Sequence, residues 1–281
     1  MNLVSDLEFV RDSEFLKLVR REAEVDLTLL SLELARDVDT DLDFTQTLEW
    51  IDDRIRELRS RIIQSKDSVE MLTLLSECLG DQHGITGSPA SYEDESGSLI
   101  NRVIEKRTGI PITLSLLYMS IAGPLGIDLQ GVAAPMHFLL RHDSLEGPIF
   151  VDPFSGGRLM NQEECQDWIN SVTGIPFDVV QTSLSPADNR TIVLRQLNNL
   201  KNLYLKQDRW QSVWPVQRRL LRLEPSSYEQ RRDFGLIAIK IDRPGLAIEA
   251  ISSCLKACPS EDREMLQRHL NTAHEQIALW N

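Results

Sequence analysis

The stretch TGIPITLSLLYMSIAGPLGI, residues Thr108–Ile127, is twenty residues long and carries no charged side chain. That length approaches what is needed to span a bilayer. However, glycines and prolines near both ends reduce the apolar helical run to about a dozen residues, the length expected of a buried core helix. Proline suits the first helical position because its missing N–H would have no partner there. We therefore predict a wholly buried helix that begins near Pro111.

Short segments with strand-like patterns follow this helix. The stretches Leu129–Ala133, Met136–Arg141 and Ile149–Asp152 are predicted strands, and Asp143–Pro148 between the last two has turn composition. A helix followed by consecutive short strands is typical of an α+β core.

The chain before the buried helix has two different compositions. Residues 1–79 show helical periodicity, and Ser5 and Glu8 have the spacing of a capping box. Residues 1–60 contain eight basic and sixteen acidic side chains, which is typical of a solvated helical surface. Residues 80–101 are rich in Gly, Ser and Asp and are predicted to form a long loop.

The C-terminal part repeats itself with a period of 34 residues, the tetratricopeptide period, since Pro225 recurs as Pro259. Two such units do not bury a continuous face alone, so we expect them to pack on the core or on a final helix, Glu261–Trp280. The loop-like stretch ending at Ser185 and Pro186 is a plausible domain boundary.

These patterns predict an α+β protein of three parts. Residues 1–79 form a helical N-terminal lobe, residues 80–185 a core with a buried helix and an antiparallel sheet, and residues 186–281 α-helical tetratricopeptide-like repeats.

The net charge limits the possible partners. Thirty basic against forty-three acidic residues give a formal charge of -13, which disfavours nucleic acid and anionic membranes. Residues 195–232 differ, with nine basic and three acidic side chains. Such a surface either docks an acidic protein partner or faces the acidic N-terminal lobe. The arginines concerned are Arg218, Arg219, Arg222, Arg231 and Arg232.

Cysteine and histidine usage indicates neither disulfides nor a metal. The four cysteines form no CxxC pair, and the acidic start MNLVSDLEFVRDSEF does not resemble an export signal, so we expect a reduced, cytoplasmic protein. His142 points to the opposite strand face from His137, and His83, His269 and His274 lack ligand spacing with it. The sequence therefore predicts no metal and no cofactor.

One pair of residues could take part in catalysis. In a hairpin centred near Leu145, His137 and Asp152 are approximate cross-strand partners, with Cβ atoms about 5 Å apart. A carboxylate beside an imidazole fixes its tautomer and stabilises its charged form, which is the orienting half of a nucleophile triad. The alternative is a hydrogen bond that only closes the hairpin.

Several ordered motifs resemble the SirB-type transglutaminase-like family of bacterial proteins with C-terminal tetratricopeptide repeats. They are NRVIEKRTGIPITLSLLY (101–118), APMHFLLR (134–141), FVDPFSGGR (150–158), QLNNLKNLY (196–204) and QRRDFGL (230–236). The resemblance covers most of the chain from about residue 90 onward. It implies a papain-like, transglutaminase-like core in which His137 matches the catalytic histidine of the wider superfamily and Asp152 its aspartate.

The chain departs from that superfamily at the nucleophile. Its enzymes place a cysteine after a glycine at the start of the buried helix, and counting back fifteen residues from Gly126 leads to Pro111. No cysteine lies between Gly80 and Glu164. A helix N-terminus lowers the pKa of a thiol and makes it reactive, so this substitution removes the chemistry itself.

Three functional hypotheses follow from these residues. The first is a non-catalytic pseudoenzyme that binds a protein or peptide. The second is a hydrolase or acyltransferase in which Ser115, one turn deeper than Pro111, or Thr113 acts with His137 and Asp152. The third treats the His–Asp pair as fold support alone. The sequence predicts neither the identity of a partner nor the oligomeric state.

Overall fold

The computed structural model describes residues 3–174 and 184–279. The chain forms two compact units: one is Val25–Gln196, and the other combines the described residues up to Glu24 with those from Leu197 onward. The three-part division at residues 79/80 and 185/186 stays a prediction. The N-terminal helices are divided between the two units. The boundary between Gln196 and Leu197 falls inside the helix Asn189–Lys206.

Twelve α-helices occur in the described part of the chain. They are α1 (Ser13–Arg20), α2 (Leu27–Ala35), α3 (Thr45–Gln64), α4 (Ser68–Ser76), α5 (Ile100–Lys106), α6 (Pro111–Ala122), α7 (Gln162–Thr173), α8 (Asn189–Lys206), α9 (Trp210–Leu223), α10 (Tyr228–Lys240), α11 (Pro244–Leu255) and α12 (Ser260–Ala278). A π-helix, Glu77–Gln82, continues directly from α4. None of the helices described is long and apolar enough to cross a membrane.

The strands form a short parallel pair and a four-stranded antiparallel sheet. The pair is β1 (Thr86–Gly87) with β2 (Thr108–Gly109), and the sheet has the order β3-β4-β5-β6. Its strands are β3 (Gln130–Val132), β4 (Leu139–Ser144), β5 (Gly147–Asp152) and β6 (Arg158–Met160). The sequence had predicted the first three of these strands at shifted bounds and had not predicted β6.

Helix α6 is the predicted buried helix, and it begins with Pro111 at its first position. Its residues Leu114, Leu117 and Tyr118 are inaccessible to solvent and share a core cluster with Leu140 of β4 and Val151 of β5. Complete burial of a leucine side chain stabilises the fold by roughly 1.5–3 kcal/mol. The absence of charge in α6 is therefore explained by its position inside this core.

The opposite face of the sheet packs on α7. Leu139 and Phe150, the neighbours of the two strand residues that face α6, cluster with Cys165 and Ile169 of α7. Alternate residues of a strand point to opposite faces, so β4 and β5 are covered on both sides. The core is thus a layer of sheet between α6 and α7.

The hairpin of β4 and β5 is closed by Leu145 and Glu146, because Ser144 pairs with Gly147. This centre lies slightly beyond the predicted one. Continuing the register places Asp152 opposite Leu139, so His137 lies in the loop before β4 and is a diagonal neighbour of Asp152, not its direct partner. When the turn of a hairpin moves along the chain, the partner of each strand residue changes by twice that distance. A small shift of the turn therefore moves the pairing by two residues.

The second unit holds the N-terminal segment by ion pairs. Ser5 and Glu8 form the predicted capping box. The acidic residues that follow pair with arginines of α9: Asp6 with Arg222, Glu8 with Arg218, and Asp12 with Arg219. Arg219 is 1% exposed, and its guanidinium lies against the rings of Phe9 and Phe15.

These contacts change the interpretation of the basic stretch as a docking surface. For Arg218, Arg219 and Arg222 the acidic counterpart is the N-terminus of the same chain, which is the alternative that the sequence had left open. Arg232 likewise contacts Asp233 and Asp262, and Arg231 donates to the carbonyl of Pro225. The same ion pairs account for the grouping of the residues up to Glu24 with the repeats in one unit.

The predicted repeat is confirmed by the helix positions. Trp210 and Pro244, 34 residues apart, are the first residues of α9 and α11. The loops before these helices contain Asp208 and Asp242, also 34 residues apart, both with the positive φ of a left-handed residue. The predicted final helix corresponds to α12, whereas Trp280 lies outside the described residues.

We expect Arg219→Ala to lower the free energy of unfolding by about 3–5 kcal/mol, because it removes the buried guanidinium that pairs with the Asp12 carboxylate at 2.7 Å. Chemical denaturation with urea measures the change. The control is Arg20→Ala, whose partly exposed pair with Asp6 spans 3.7 Å and should contribute less than about 1 kcal/mol. Equal effects of the two substitutions would contradict the assigned role of Arg219.

Candidate functional site

Asp152 is the last residue of β5, and its side chain caps the turn that follows. Oδ1 accepts from Nε2 of His137 at 2.8 Å and from the backbone N–H of Phe154 at 3.1 Å. Oδ2 accepts from the hydroxyl of Ser155 at 2.6 Å. Asp152 is 1% exposed, so nearly all of its interactions are with protein groups.

These donors decide the protonation state of the carboxylate. Burial acts to raise the pKa of Asp152, but the hydrogen bond and charge of His137, with the bonds from Ser155 and Phe154, outweigh it and lower the pKa below its ordinary value. Asp152 is therefore ionised at neutral pH and can only accept hydrogen bonds.

The ionised carboxylate also fixes the histidine. Nε2 of His137 must carry a hydrogen to bond Asp152, so in the neutral ring the Nδ1 nitrogen carries the free lone pair. A histidine that acts as a general base and is oriented by a carboxylate has this tautomer. The His137 side chain is 13% exposed, which leaves a small part of the ring in contact with solvent.

Aromatic rings surround His137. Trp168 of α7 meets it edge to face at a centroid distance of 4.8 Å, and Phe154 does so at 5.8 Å. Tyr92, which is 46% exposed, contacts Phe154 in turn. Gly87 of β1 packs directly against the Phe154 ring. There is no room for a larger residue, because a Cβ at this position would overlap the ring.

The loop that carries His137 is held from outside the sheet. Arg195 of α8 donates to the carbonyls of Ala134 at 2.9 Å and His137 at 2.7 Å. The N–H of His137 returns to the carbonyl of Ala134, and Met136 between them has a φ of 57°. A positive φ is unfavourable for a methionine, by about 1–3 kcal/mol, so the Arg195 contacts help to maintain this turn.

The expected nucleophile position contains no reactive group. Pro111 is buried at the first position of α6 and offers no nucleophilic atom. Thr113 and Ser115 are completely buried, and their hydroxyl oxygens have no hydrogen-bond partner among the residues that the structure describes. Neither hydroxyl therefore reaches His137.

Three of the four cysteines are buried thiols of low reactivity. All four are free thiols. Burial raises the pKa of Cys165 to about 12, with a further contribution from Asp152, and burial together with Glu57 raises that of Cys78 to about 11. Burial also raises the pKa of Cys254 to about 11. These three groups are neutral thiols at physiological pH, which are poor nucleophiles.

The structure thus brings together His137 and Asp152 and leaves Ser115 and Thr113 apart from them. It adds Ser155, Phe154, Trp168, Tyr92 and Arg195 to the site. Ser155 and Phe154 lie in the motif FVDPFSGGR beside Asp152, so the sequence contained a signal for them. Trp168 and Arg195 come from distant helices and had no local signal.

A buried helix against an antiparallel sheet, a paired histidine and aspartate, and C-terminal helical repeats define a transglutaminase-like protein with a tetratricopeptide-type domain. Residues 45–198 match the model of the transglutaminase-like superfamily, and residues 200–272 match that of the tetratricopeptide repeat. No solved structure matches the chain significantly.

Curated proteins extend this result. The chain is 32% identical to a UPF0162 protein of Xylella fastidiosa, over 85% of this chain and 87% of that protein. It is 26% identical to Protein SirB1 of Salmonella typhimurium, over 78% and 81%, and 24% identical to UPF0162 protein YchA of Escherichia coli, over 79% and 86%. The chain therefore belongs to the transglutaminase-like family that includes SirB1 and the UPF0162 proteins.

The lowered pKa of Asp152 predicts a pH dependence of stability. Because the pKa is lower in the folded protein than in the unfolded chain, the stabilisation is complete above the ordinary value, near 4, and is lost as the pH falls through the folded value. We expect the free energy of unfolding to decline less steeply with acidification in Asp152→Asn than in the wild type. Urea unfolding between about pH 2 and pH 6 measures both slopes.

Other carboxylates with lowered pKa values are present in both proteins, so the difference between the two curves isolates Asp152. Parallel curves would show that the carboxylate gains nothing from its three donors.

Proposed function

We propose that this chain is a non-catalytic transglutaminase-like protein, whose His137 site binds a protein or peptide segment and whose repeats supply a further protein-binding surface. The proposal places it among interaction or regulatory proteins. Its site of action is the cytoplasm, a location that the free cysteines favour.

The observation that carries the proposal is the state of His137. Its Nε2 is occupied by Asp152, whereas within residues 3–174 and 184–279 no serine, threonine or cysteine side chain bonds to Nδ1. Covalent acyl transfer begins when a general base takes the proton of a nucleophile within hydrogen-bond reach, and among the described residues His137 has no such neighbour. The orienting half of the triad is thus retained without the group that it would activate.

The walls of the site support binding in place of chemistry. Tyr92, Phe154 and Trp168 are aromatic and partly exposed, and aromatic side chains supply large contact areas at small cost in conformational entropy. The lone pair on Nδ1 of His137 adds one acceptor for a backbone N–H of the bound segment. Tetratricopeptide repeats elsewhere form extended surfaces for other proteins.

One observation favours a second candidate, a hydrolase or acyltransferase that uses Ser115 or Thr113. Both hydroxyls are unbonded in the described structure, so they are not engaged with carbonyls of their own helix. Catalysis would require a shift of α6 that exposes one of them to His137. We rank this function second because both residues are completely buried.

The two functions differ in their response to an active-site probe. Fluorophosphonates react with activated hydroxyls, and iodoacetamide reacts with thiolates. If the protein is non-catalytic, we expect both reagents to label the native chain no faster than the His137→Ala variant. Mass spectrometry of the labelled peptides measures this. Labelling at Ser115 or Thr113 that disappears in His137→Ala would establish the enzyme instead.

The binding function is tested with Trp168→Ala. Peptides selected by display on the full-length chain should bind this variant at least about tenfold more weakly, because the substitution removes an aromatic wall of the site. Leu145→Ala is the control, since Leu145 is fully exposed at the hairpin tip and away from His137. Isothermal titration calorimetry measures the affinities.

Failure to select any peptide, or unchanged affinity for Trp168→Ala, would count against the proposal. The result for His137→Ala separates binding from fold support alone. Removing one donor from a buried acceptor should lower stability by about 1–3 kcal/mol under either hypothesis, but peptide affinity falls only if His137 takes part in binding.

A further inference from the structure

Three side chains with metal-binding atoms converge elsewhere in the Val25–Gln196 unit. Glu57 comes from α3, Cys78 from the π-helix, and His83 from the position directly after it. A carboxylate oxygen, the thiol sulfur and an imidazole nitrogen all lie within 4.8 Å of one another. Ligands of a tetrahedral zinc ion lie about 3.3–3.8 Å apart, given bonds of about 2.0–2.3 Å. We propose that Glu57, Cys78 and His83 form a Zn²⁺ site.

The π-helix is the reason that two of the ligands share a face. In an α-helix, residues five positions apart point about 140° away from each other. Here the N–H of His83 donates to the carbonyl of Cys78 at 3.0 Å, the five-residue bond of a π-turn, and the wider turn brings both side chains toward Glu57. Single π-turns are rare and occur frequently at functional sites.

The surrounding side chains hold the imidazole and the carboxylate in place. Nε2 of His83 lies 3.0 Å from Oε2 of Glu57, so the nitrogen that would bind the metal already faces the other ligands. Trp50 meets the His83 ring edge to face at 5.8 Å. Arg54 lies over the Trp50 ring and contacts the same Oε2 at 3.0 Å. Outer contacts of this kind orient metal ligands.

The charges fit a divalent cation. The Glu57 carboxylate and a Cys78 thiolate together balance Zn²⁺, and the thiol proton passes to solvent when the metal binds. Arg54 and His83 both use Oε2 of Glu57, so the other carboxylate oxygen takes no part in these two contacts. Arg54 then remains as a neighbouring cation that forms an ion pair with the coordinating carboxylate.

The ligand set selects the type of metal. Thiolate and imidazole ligands disfavour Mg²⁺ and Ca²⁺, which prefer oxygen, and suit Zn²⁺. Three protein ligands leave a fourth tetrahedral position for water or another molecule. Neither histidine spacing nor a CxxC pair marks this site in the sequence, because Glu57 comes from a separate helix.

The competing explanation is that Glu57 and His83 form only an ion pair that ties the π-helix to α3. The two explanations are distinguished with Co²⁺, which replaces Zn²⁺ and whose bond to a thiolate gives a charge-transfer absorption in the near ultraviolet. The untagged full-length chain is treated with EDTA, exchanged into metal-free buffer and titrated with CoCl₂. We expect this absorption to saturate at one cobalt per chain and to disappear on addition of ZnCl₂.

The variants assign the ligands. Cys78→Ser should abolish the absorption, whereas Cys254→Ser, which alters a buried thiol in the other unit, should retain it. Glu57→Gln and His83→Ala change partly exposed groups and should weaken cobalt binding at least about tenfold. Circular dichroism establishes that each variant is folded.

Absence of the absorption in the wild type, or its persistence in Cys78→Ser, would overturn the proposal. If Cys78→Ser does not fold, the other two variants decide: wild-type cobalt affinity in both folded proteins would equally exclude the site.

Discussion

The burial of helix α6 is the constraint on which the core depends. A helix without charged side chains has no surface suited to water, so every side of it must be covered by other elements. Residues of α3, α4, the π-helix, β4 and β5 share its core cluster. Because β4 and β5 are covered by α7 on their other face, the loop before β4 and the end of β5 meet beside the same layer. The positions of His137 and Asp152 follow from this packing.

The candidate site is built around the carboxylate of Asp152. Asp152 does more than hold His137, because the same carboxylate caps the turn of Phe154 and Ser155. That second role gives the fold a reason to keep the carboxylate whether or not acyl transfer occurs. The aromatic rings of Phe154 and Trp168 are placed by the same turn and by α7, so a partly exposed aromatic surface lies around His137.

Charge is organised separately in the two units. In the unit that contains the repeats, the acidic N-terminal segment neutralises the arginines of α9, so a basic stretch in the sequence does not produce a free basic surface. In the other unit, Arg54 contacts Glu57 at the cluster with Cys78 and His83. Local charge counts along a chain therefore say little about a surface until the partners of each charge are known.

The sequence by itself determined the elements whose signals are local. The uncharged run from Pro111, the strand alternation after it and the 34-residue period each reflect hydrogen bonding and burial over a few residues, and they identified the buried helix, three strands and the repeats. The pairing of His137 with Asp152 was also accessible, since hairpin partners are close in sequence, although the exact register was not. Only the tertiary structure decided which distant groups meet. Trp168 and Arg195 contact His137 from separate helices. Asp12 pairs with Arg219, which is distant in sequence. A π-turn brings Cys78 and His83 close to Glu57. Such contacts depend on how whole elements pack, which no local pattern of residues encodes.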